Sequence, residues 1–145
     1  MKVREVMTSD PICCVPSDTV QTLANVMCDR NVGSIPIVAD QHSRKLTGII
    51  TDRDLFCSII AQGLDPKTTR IQRYMRPNPV ACRDGEELNG CEQVMQKHQI
   101  RRIPVIDDEG RCVGIVAQAD LALKEKSEKL SQTVTEISRP QATTA

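Results

Sequence analysis

The apolar residues of this chain follow two patterns, helical spacing and short continuous runs, which alternate along its length. One helix face is predicted from four apolar residues of the first half: Val20, Leu23, Ala24 and Met27. Two short apolar runs, Ser34–Val38 and residues 46–50, are typical of β-strands. Residues 52–61 predict a second helix after them. The first half is therefore predicted to mix helices and strands.

The second half shows the same order of elements. Its first helix face is predicted from Leu88, Cys91, Val94 and Met95. Asp84 is followed three residues later by Glu87, which predicts a capping box at the start of that helix. Strands are predicted at Arg102–Ile106 and at residues 112–116, and a longer helix over residues 119–138. Both halves thus predict an α+β fold.

The two halves are copies of one another. A shift of 68 positions places residues 7–38 on residues 75–106, and Ile35-Pro36-Ile37-Val38 falls on Ile103-Pro104-Val105-Ile106. This period is too long for a solenoid repeat. We predict a first repeat over residues 1–63, a linker over 64–70, a second repeat over 71–125, and a C-terminal helix extension with a polar tail over 126–145.

Charge and cysteine content disfavour several classes of function. Nineteen basic and nineteen acidic residues balance without a dense basic run, so no nucleic-acid partner is expected. No apolar stretch is long enough to span a membrane, and the charged N-terminus is not typical of a signal peptide. The seven cysteines contain no Cys-x-x-Cys motif, which disfavours a metal site and favours free thiols in the cytoplasm.

The most informative motif of the first repeat joins a predicted strand to a predicted helix. It reads Gly48-Ile49-Ile50-Thr51-Asp52-Arg53-Asp54. The hydroxyl of Thr51 and the N–H groups of a helix start can bind a phosphate, and the Asp54 carboxylate can accept hydrogen bonds from ribose hydroxyls. The same pattern is also a capping arrangement in which Thr51 only satisfies the first N–H groups of the helix. From the residues alone, both interpretations stay open.

The corresponding motif of the second repeat keeps the carboxylate and loses the hydroxyl. Asp120 corresponds to Asp54, whereas Ala117 replaces the threonine. Arg101 and Arg102 precede the second Ile-Pro strand and have no basic counterpart in the first repeat. They either compensate for the missing hydroxyl by binding phosphate or are solvated charges at the end of a strand. The two sites are therefore not expected to be equivalent.

Taken together, these motifs resemble those of a pair of CBS domains, the Bateman module. The resemblance covers residues 1–125 and rests on the segments Val6-Met7-Thr8, Ile35-Pro36-Ile37-Val38, Gly48–Asp54, Tyr74-Met75-Arg76, Ile103-Pro104-Val105-Ile106 and Gly114–Asp120. It implies two β-α-β-β-α repeats packed by pseudo-two-fold symmetry through their sheets. It also implies a homodimer that forms a four-repeat disc, and two clefts for AMP, ADP, ATP or S-adenosylmethionine as a regulatory ligand, with no obligatory cofactor.

The resemblance also implies which residues line the clefts, because each cleft takes the entry segment of the other repeat. The first cleft would consist of Ile49, Thr51, Asp54, Asn78, Pro79, Val80 and Ala81. The second cleft would consist of Thr8, Pro11, Ile12, Cys13, Ile115 and Asp120, with Arg101 and Arg102 nearby. Because Thr51 and Asp54 are both present, the first cleft is expected to bind the ligand preferentially.

These observations predict a non-catalytic regulatory module that senses an adenine nucleotide and signals to an unknown protein partner. No nucleophile with a neighbouring base and no glycine-rich phosphate loop is present, so no catalytic residue is predicted. Two alternatives remain open. One is a constitutive dimeric scaffold with vestigial clefts, suggested by Ala117. The other is a cysteine-based redox switch at Cys13-Cys14, although adjacent cysteines form a strained ring.

Overall fold

A computed structural model describes residues 1–124 and 127–140 of the chain and shows a mixed α+β fold. The strands are β1 Thr8–Ser9, β2 Ser34–Val38, β3 Leu46–Thr51, β4 Arg76–Pro77, β5 Cys82–Arg83, β6 Arg102–Ile106 and β7 Cys112–Ala117. The helices are α1 Val20–Arg30, α2 Asp52–Leu55, α3 Leu88–His98, α4 Gln118–Lys124 and α5 Ser127–Ser138. Short 3₁₀ turns, Val3–Glu5 and Ile71–Arg73, precede β1 and β4.

The described chain forms two compact units that do not coincide with the two sequence repeats. The first-repeat unit contains Pro11–Pro79 and Glu109–Cys112. The second-repeat unit contains Met1–Asp10, Val80–Asp108 and the described residues from Val113 onward. Each unit is therefore completed by the entry segment of the other repeat.

The first-repeat unit is built on an antiparallel three-stranded sheet with the order β2-β3-β4. Ile35 lies opposite Ile50, and a bulge interrupts the β2–β3 pairing between Ile37 and Val38. The main core of this unit consists of Cys14, Leu23, Met27, Ile35, Ile37, Ile50 and Ile71. Helix α1 contributes two of these residues, which matches the apolar face predicted for it.

The second-repeat unit contains a four-stranded sheet with the order β1-β7-β6-β5. Its core includes Met95 from α3, Val116 from β7 and Ile137 from α5, all of them buried. Helix α5 is further joined to α3 by a hydrogen bond of 3.1 Å from Gln96 Nε2 to Thr133 Oγ1. Because Ile137 lies in the core, the C-terminal helix is an integral part of this unit.

Strands β7 and β3 each contain a glycine that allows the segment before β1 or β4 to pass close to the strand. Gly114 in β7 lies against Met7, and a Cβ atom placed on Gly114 would overlap the Met7 sulfur and lie 2.8 Å from its Cγ. A Cβ on Gly48 would lie 2.8 Å from the Met75 sulfur and 3.1 Å from the Arg76 carbonyl oxygen. Only glycine leaves room for this packing at both positions.

The capping box predicted from Asp84 and Glu87 is wrong. Helix α3 begins after Glu87, and the Glu87 side chain makes no capping hydrogen bond. Its carboxylate instead lies 3.2 Å from the N-terminal amino group and 2.6 Å from Lys2 Nζ. Two neighbouring cations therefore hold the side chain away from the helix start.

The other predicted helices need smaller changes. Helix α1 begins after Thr19, whose side chain accepts a hydrogen bond from the Thr22 N–H. The helix predicted over residues 52–61 starts as expected, but it continues from Phe56 to Ile60 as a π-helical turn. For the long helix predicted over residues 119–138, the structure gives α4 and α5 separately. Residues 125–126 and the polar tail 141–145 lie outside the described residues.

Candidate functional site

The junction between β3 and α2 carries a complete capping box. The Asp54 N–H donates to Thr51 Oγ1 over 3.2 Å, and the Thr51 N–H donates to Asp54 Oδ2 over 2.9 Å. Both side chains therefore satisfy backbone groups at the start of the helix. The capping interpretation of this motif is present in the structure, and one carboxylate oxygen of Asp54 is already used by it.

The other carboxylate oxygen of Asp54 binds an arginine that the sequence analysis did not single out. Arg76 donates from Nη2 over 2.8 Å and from Nε over 3.2 Å to Asp54 Oδ1. Strand β4 places this arginine beside the junction, because Arg76 pairs with Ile49 of β3. The Asp54 side chain is 12% exposed and that of Arg76 is 64% exposed, so Arg76 contacts Asp54 from the side that faces the solvent.

The surroundings of Asp54 favour its ionised form. Partial burial alone raises the pKa of the Asp54 carboxyl. The hydrogen bonds from Arg76 and from Thr51, together with the positive charge of Arg76, outweigh that effect and hold the pKa below its usual value. Asp54 is therefore a carboxylate engaged on both oxygens.

The structure divides the residues expected in the first cleft between the two units. Ile49, Thr51, Asp54, Asn78 and Pro79 belong to the first-repeat unit. The Asn78 N–H donates to the Thr47 carbonyl over 3.3 Å, and Asn78 has a positive φ of 48°. Val80 and Ala81 belong to the second-repeat unit.

At the junction between β7 and α4, one of the two capping hydrogen bonds of the first junction recurs. Asp120 Oδ2 accepts a hydrogen bond of 2.7 Å from the Ala117 N–H. Ala117 offers no hydroxyl in return, and Thr8 pairs with Ile115 at the place where Arg76 pairs with Ile49. No donor from the described part of the chain reaches Asp120 Oδ1. Among the described residues, a ligand at Asp120 Oδ1 would have no donor to displace.

Beside this second junction the second-repeat unit has a pocket of about 410 Å³. It is lined by Arg101, Arg102, residues 117–119, Ala122 and Val134. The Arg101 carbonyl accepts the Gln118 N–H over 2.9 Å, which ties the start of β6 to the start of α4. Both arginine side chains are exposed, and neither has an ion-pair partner among the described residues. No carboxylate among the described residues neutralises their charge.

The residues expected in the second cleft are also divided between the units. Thr8, Arg101, Arg102, Ile115 and Asp120 all belong to the second-repeat unit. The other three expected residues, Pro11, Ile12 and Cys13, belong to the first-repeat unit.

Arg76 and Val134 are the site residues that the sequence analysis missed. When the two repeats are aligned, Arg76 corresponds to Thr8, so the second copy has a charged residue where the first has a neutral one. This difference could have pointed to Arg76. For Val134 there was no signal, because α5 has no counterpart in the first repeat.

Residues 1–124 and 127–140 lack two further classes of site. No group of three or more His, Cys, Asp or Glu side chains lies together in a way that could hold a metal ion. No helix in this part of the chain is long and apolar enough to cross a membrane.

Comparison with known proteins gives the family. The model of the CBS domain matches residues 3–60 and 71–125. The CBS domain-containing protein YhcV of Bacillus subtilis is 36% identical over 137 residues, covering 94% of this chain and 94% of that protein. Hypoxic response protein 1 of Mycobacterium tuberculosis is 33% identical over 139 residues, covering 96% of this chain and 95% of that protein.

Solved structures agree with this result. The crystal structure of hypoxic response protein I with two coordinated zinc ions has a TM-score of 0.78 and 31% identity, covering 87% of this chain and 100% of that chain. A CBS domain pair in complex with 5′-methylthioadenosine and S-adenosyl-L-methionine has a TM-score of 0.73 and 29% identity, covering 85% of this chain and 94% of that chain. The resemblance stated from the sequence is confirmed, and the chain belongs to the CBS-domain family, with one CBS domain in each repeat.

Proposed function

We propose that this chain is a cytoplasmic, non-catalytic regulatory module that binds an adenosine-containing ligand and passes its bound state to a protein partner. Each repeat places a carboxylate at the same strand-to-helix junction, Asp54 in the first and Asp120 in the second. A carboxylate in this position can accept hydrogen bonds from both hydroxyls of a ribose. A related CBS pair, 29% identical, was solved with two adenosine derivatives.

The observation that carries the proposal is the pocket beside the second junction. Its volume of about 410 Å³ lies in the range of small-molecule sites. Two arginines line it, and no carboxylate is among its described lining residues. Guanidinium groups bind phosphate by charge-assisted hydrogen bonds. The proposed ligand is therefore a phosphorylated adenosine, AMP, ADP or ATP, in preference to S-adenosylmethionine, whose sulfonium is a cation.

The contacts of Asp54 change the expected order of the two sites. A ligand at the first junction must compete with Arg76 for Asp54 Oδ1, whereas Asp120 Oδ1 has no such competitor among the described residues. Breaking this largely exposed ion pair costs about 0.2–1 kcal/mol before any ligand contact is gained. We therefore propose that the second site, with Asp120, Arg101 and Arg102, binds before the first.

Calorimetric titration of the purified chain with AMP, ADP, ATP and S-adenosylmethionine tests the proposal. We expect saturable binding of the phosphorylated ligands. The double variant Arg101→Gln/Arg102→Gln should lose about ten- to a hundredfold in ATP affinity, because charged hydrogen bonds to phosphate are removed. Arg30→Gln, an exposed arginine at the end of α1, is the matched control and should bind like the wild type. Equal affinity in all three proteins would reject the arginines as the phosphate site.

The second candidate function is a constitutive dimeric scaffold. The scaffold is favoured by two exposed apolar side chains one helical turn apart. Phe56 is 64% exposed and Ile60 is 67% exposed. Such a patch is typical of a protein interface, and the proposed homodimer with its four-repeat disc would bury it. Light scattering should give the mass of a dimer for the wild type and of a monomer for Phe56→Glu/Ile60→Glu. If ligands leave the unfolding midpoint unchanged while the dimer forms, the scaffold is the better account.

A further inference from the structure

Two buried thiols lie together in the first-repeat unit, namely Cys13 near its beginning and Cys112 at the first residue of β7. Cys13 is 3% exposed and Cys112 is 1% exposed. Both belong to a small apolar cluster that also contains Val38. The side chain of Cys112 forms a hydrogen bond with that of Cys13. The two sulfur atoms are therefore direct neighbours although the residues are far apart in sequence.

An arginine connects the two cysteines. Arg44 Nη2 lies 3.4 Å from Cys13 Sγ and also donates to the Pro11 carbonyl over 2.8 Å. The Arg44 carbonyl accepts the Cys112 N–H over 2.8 Å. The hydrogen bond from Cys112 lowers the pKa of Cys13, burial opposes this, and the charge of Arg44 lowers the pKa further, with a net decrease. These contacts shift Cys13 towards the thiolate, the nucleophilic form of cysteine, although its Sγ also donates to the Pro11 carbonyl over 3.5 Å as a thiol.

The other buried thiols have the opposite environment. Burial and the nearby Asp18 carboxylate raise the pKa of Cys14 to about 12. Cys82 and Cys91 are also hydrogen-bonded to each other in the second-repeat unit. Their hydrogen bond, burial and neighbouring carboxylates such as Glu86 raise the pKa of Cys91. The chain therefore contains two thiol pairs: Arg44 lies against the Cys13–Cys112 pair, whereas carboxylates lie near the Cys82–Cys91 pair.

We propose that Cys13 and Cys112 form a peroxide-sensitive site that is converted to a disulfide. The Cys13 thiolate attacks hydrogen peroxide, so that an S–O bond forms and the O–O bond breaks; the products are a sulfenic acid and hydroxide, which takes up the proton that Cys13 lost and leaves as water. The Cys112 sulfur then attacks the Cys13 sulfur, forming the S–S bond and releasing the oxygen as a second water. Two thiols are oxidised by two electrons, and one peroxide is reduced to two waters.

The position of this pair in the chain gives the disulfide a structural consequence. One boundary between the two units falls after Asp10, where the chain enters the first-repeat unit at Pro11. Another falls after Cys112, where the chain leaves that unit at Val113. A bond from Cys13 to Cys112 would join these two crossing points covalently and hold Glu109–Cys112 on the first-repeat unit. The site lies outside both strand-to-helix junctions and its chemistry requires no nucleotide, although Cys13 is also one of the residues expected in the second cleft.

Peptide mapping after peroxide treatment tests the proposal. We would use the full chain with the exposed thiols removed, Cys28→Ser/Cys57→Ser, and alkylate the remaining thiols after unfolding. The expected product has lost two hydrogens, about 2 Da, and contains one peptide pair linked through Cys13 and Cys112. Alkylated Cys82 and Cys91 should be recovered in the same sample. Linkage of Cys82 to Cys91 at the same rate, or no linked pair at all, would overturn the proposal.

Two single variants separate the chemical steps. With Cys112→Ala the sulfenic acid on Cys13 cannot be resolved, so a 1,3-diketone such as dimedone should label Cys13 in this variant and not in the parent. Arg44→Gln should slow oxidation about tenfold through loss of its charge. Lys45→Gln, the neighbouring exposed cation, should not slow it. Equal dimedone labelling of parent and Cys112→Ala would contradict the mechanism, whatever the stability of the arginine variant.

Discussion

At the scale of single residues, the same carboxylate has different surroundings in the two repeats. Asp54 binds Arg76 and completes a capping box, whereas Asp120 accepts, among the described residues, the bond from the Ala117 N–H alone. The difference comes from two substitutions, threonine to alanine at the junction and arginine to threonine at the paired entry strand. We therefore expect Asp54 to contribute to stability and propose that Asp120 contributes to binding.

The Asp54–Arg76 ion pair predicts a pH-dependent stability. The pKa of Asp54 is lower in the folded chain, so its stabilising effect is present above its usual unfolded pKa and is lost as the pH falls through the folded value. Arg76→Gln should reduce the free energy of unfolding by about 0.2–1 kcal/mol at neutral pH, since the arginine is largely exposed. Urea unfolding at successively lower pH should show a decreasing difference in the free energy of unfolding between the wild type and Arg76→Gln. The control Arg53→Gln should show no such trend, and a constant difference for Arg76→Gln would contradict the assignment.

At the scale of secondary-structure elements, the entry strands β1 and β4 decide how the units are built. Each has only two residues, and each pairs with a strand whose glycine permits close contact. Such short strands cannot be stable alone, so the crossing of Met7 over Gly114 and of Met75 over Gly48 matters for the stability of each unit.

Alanine substitutions at two glycines should have effects of opposite sign. Gly114→Ala should reduce the free energy of unfolding by about 1–3 kcal/mol, because the new Cβ overlaps the Met7 side chain. Gly90→Ala, within α3, has no atom within 4 Å of the new Cβ and should increase it by about 0.5–1 kcal/mol. Denaturant unfolding of both variants gives the comparison. Destabilisation of equal size in both would rule out the steric explanation.

The helices and strands with a clear period of apolar residues were predictable from the sequence. Features that depend on contacts between residues far apart in the chain were not. The faces of α1 and α3 and the runs of β2, β3, β6 and β7 follow from local apolar spacing. The capping box at Asp84 failed because the sequence pattern could not show that Lys2 and the amino terminus would attract Glu87. The junction residues were found by their motif, but the bond from Arg76 to Asp54 depends on strand pairing.

At the scale of the whole molecule, the chain is a pair of CBS domains in which each compact unit takes the entry segment of the other repeat. Duplication explains the shared carboxylates, and divergence after it explains the unequal sites. Arg101, Arg102 and helix α5 have no counterpart in the first repeat, and together they line the pocket. We therefore assign stability chiefly to the first junction and propose that ligand binding takes place chiefly at the second.

The most direct test of this account is the affinity of ADP for the wild type, Asp120→Ala and Asp54→Ala, measured by calorimetric titration under one set of conditions. The account predicts saturable binding to the wild type, a loss of about tenfold or more in affinity with Asp120→Ala, and a loss of less than about threefold with Asp54→Ala. A well-folded wild type that binds no ADP would contradict the proposed ligand, and loss of binding only in Asp54→Ala would contradict the proposed site.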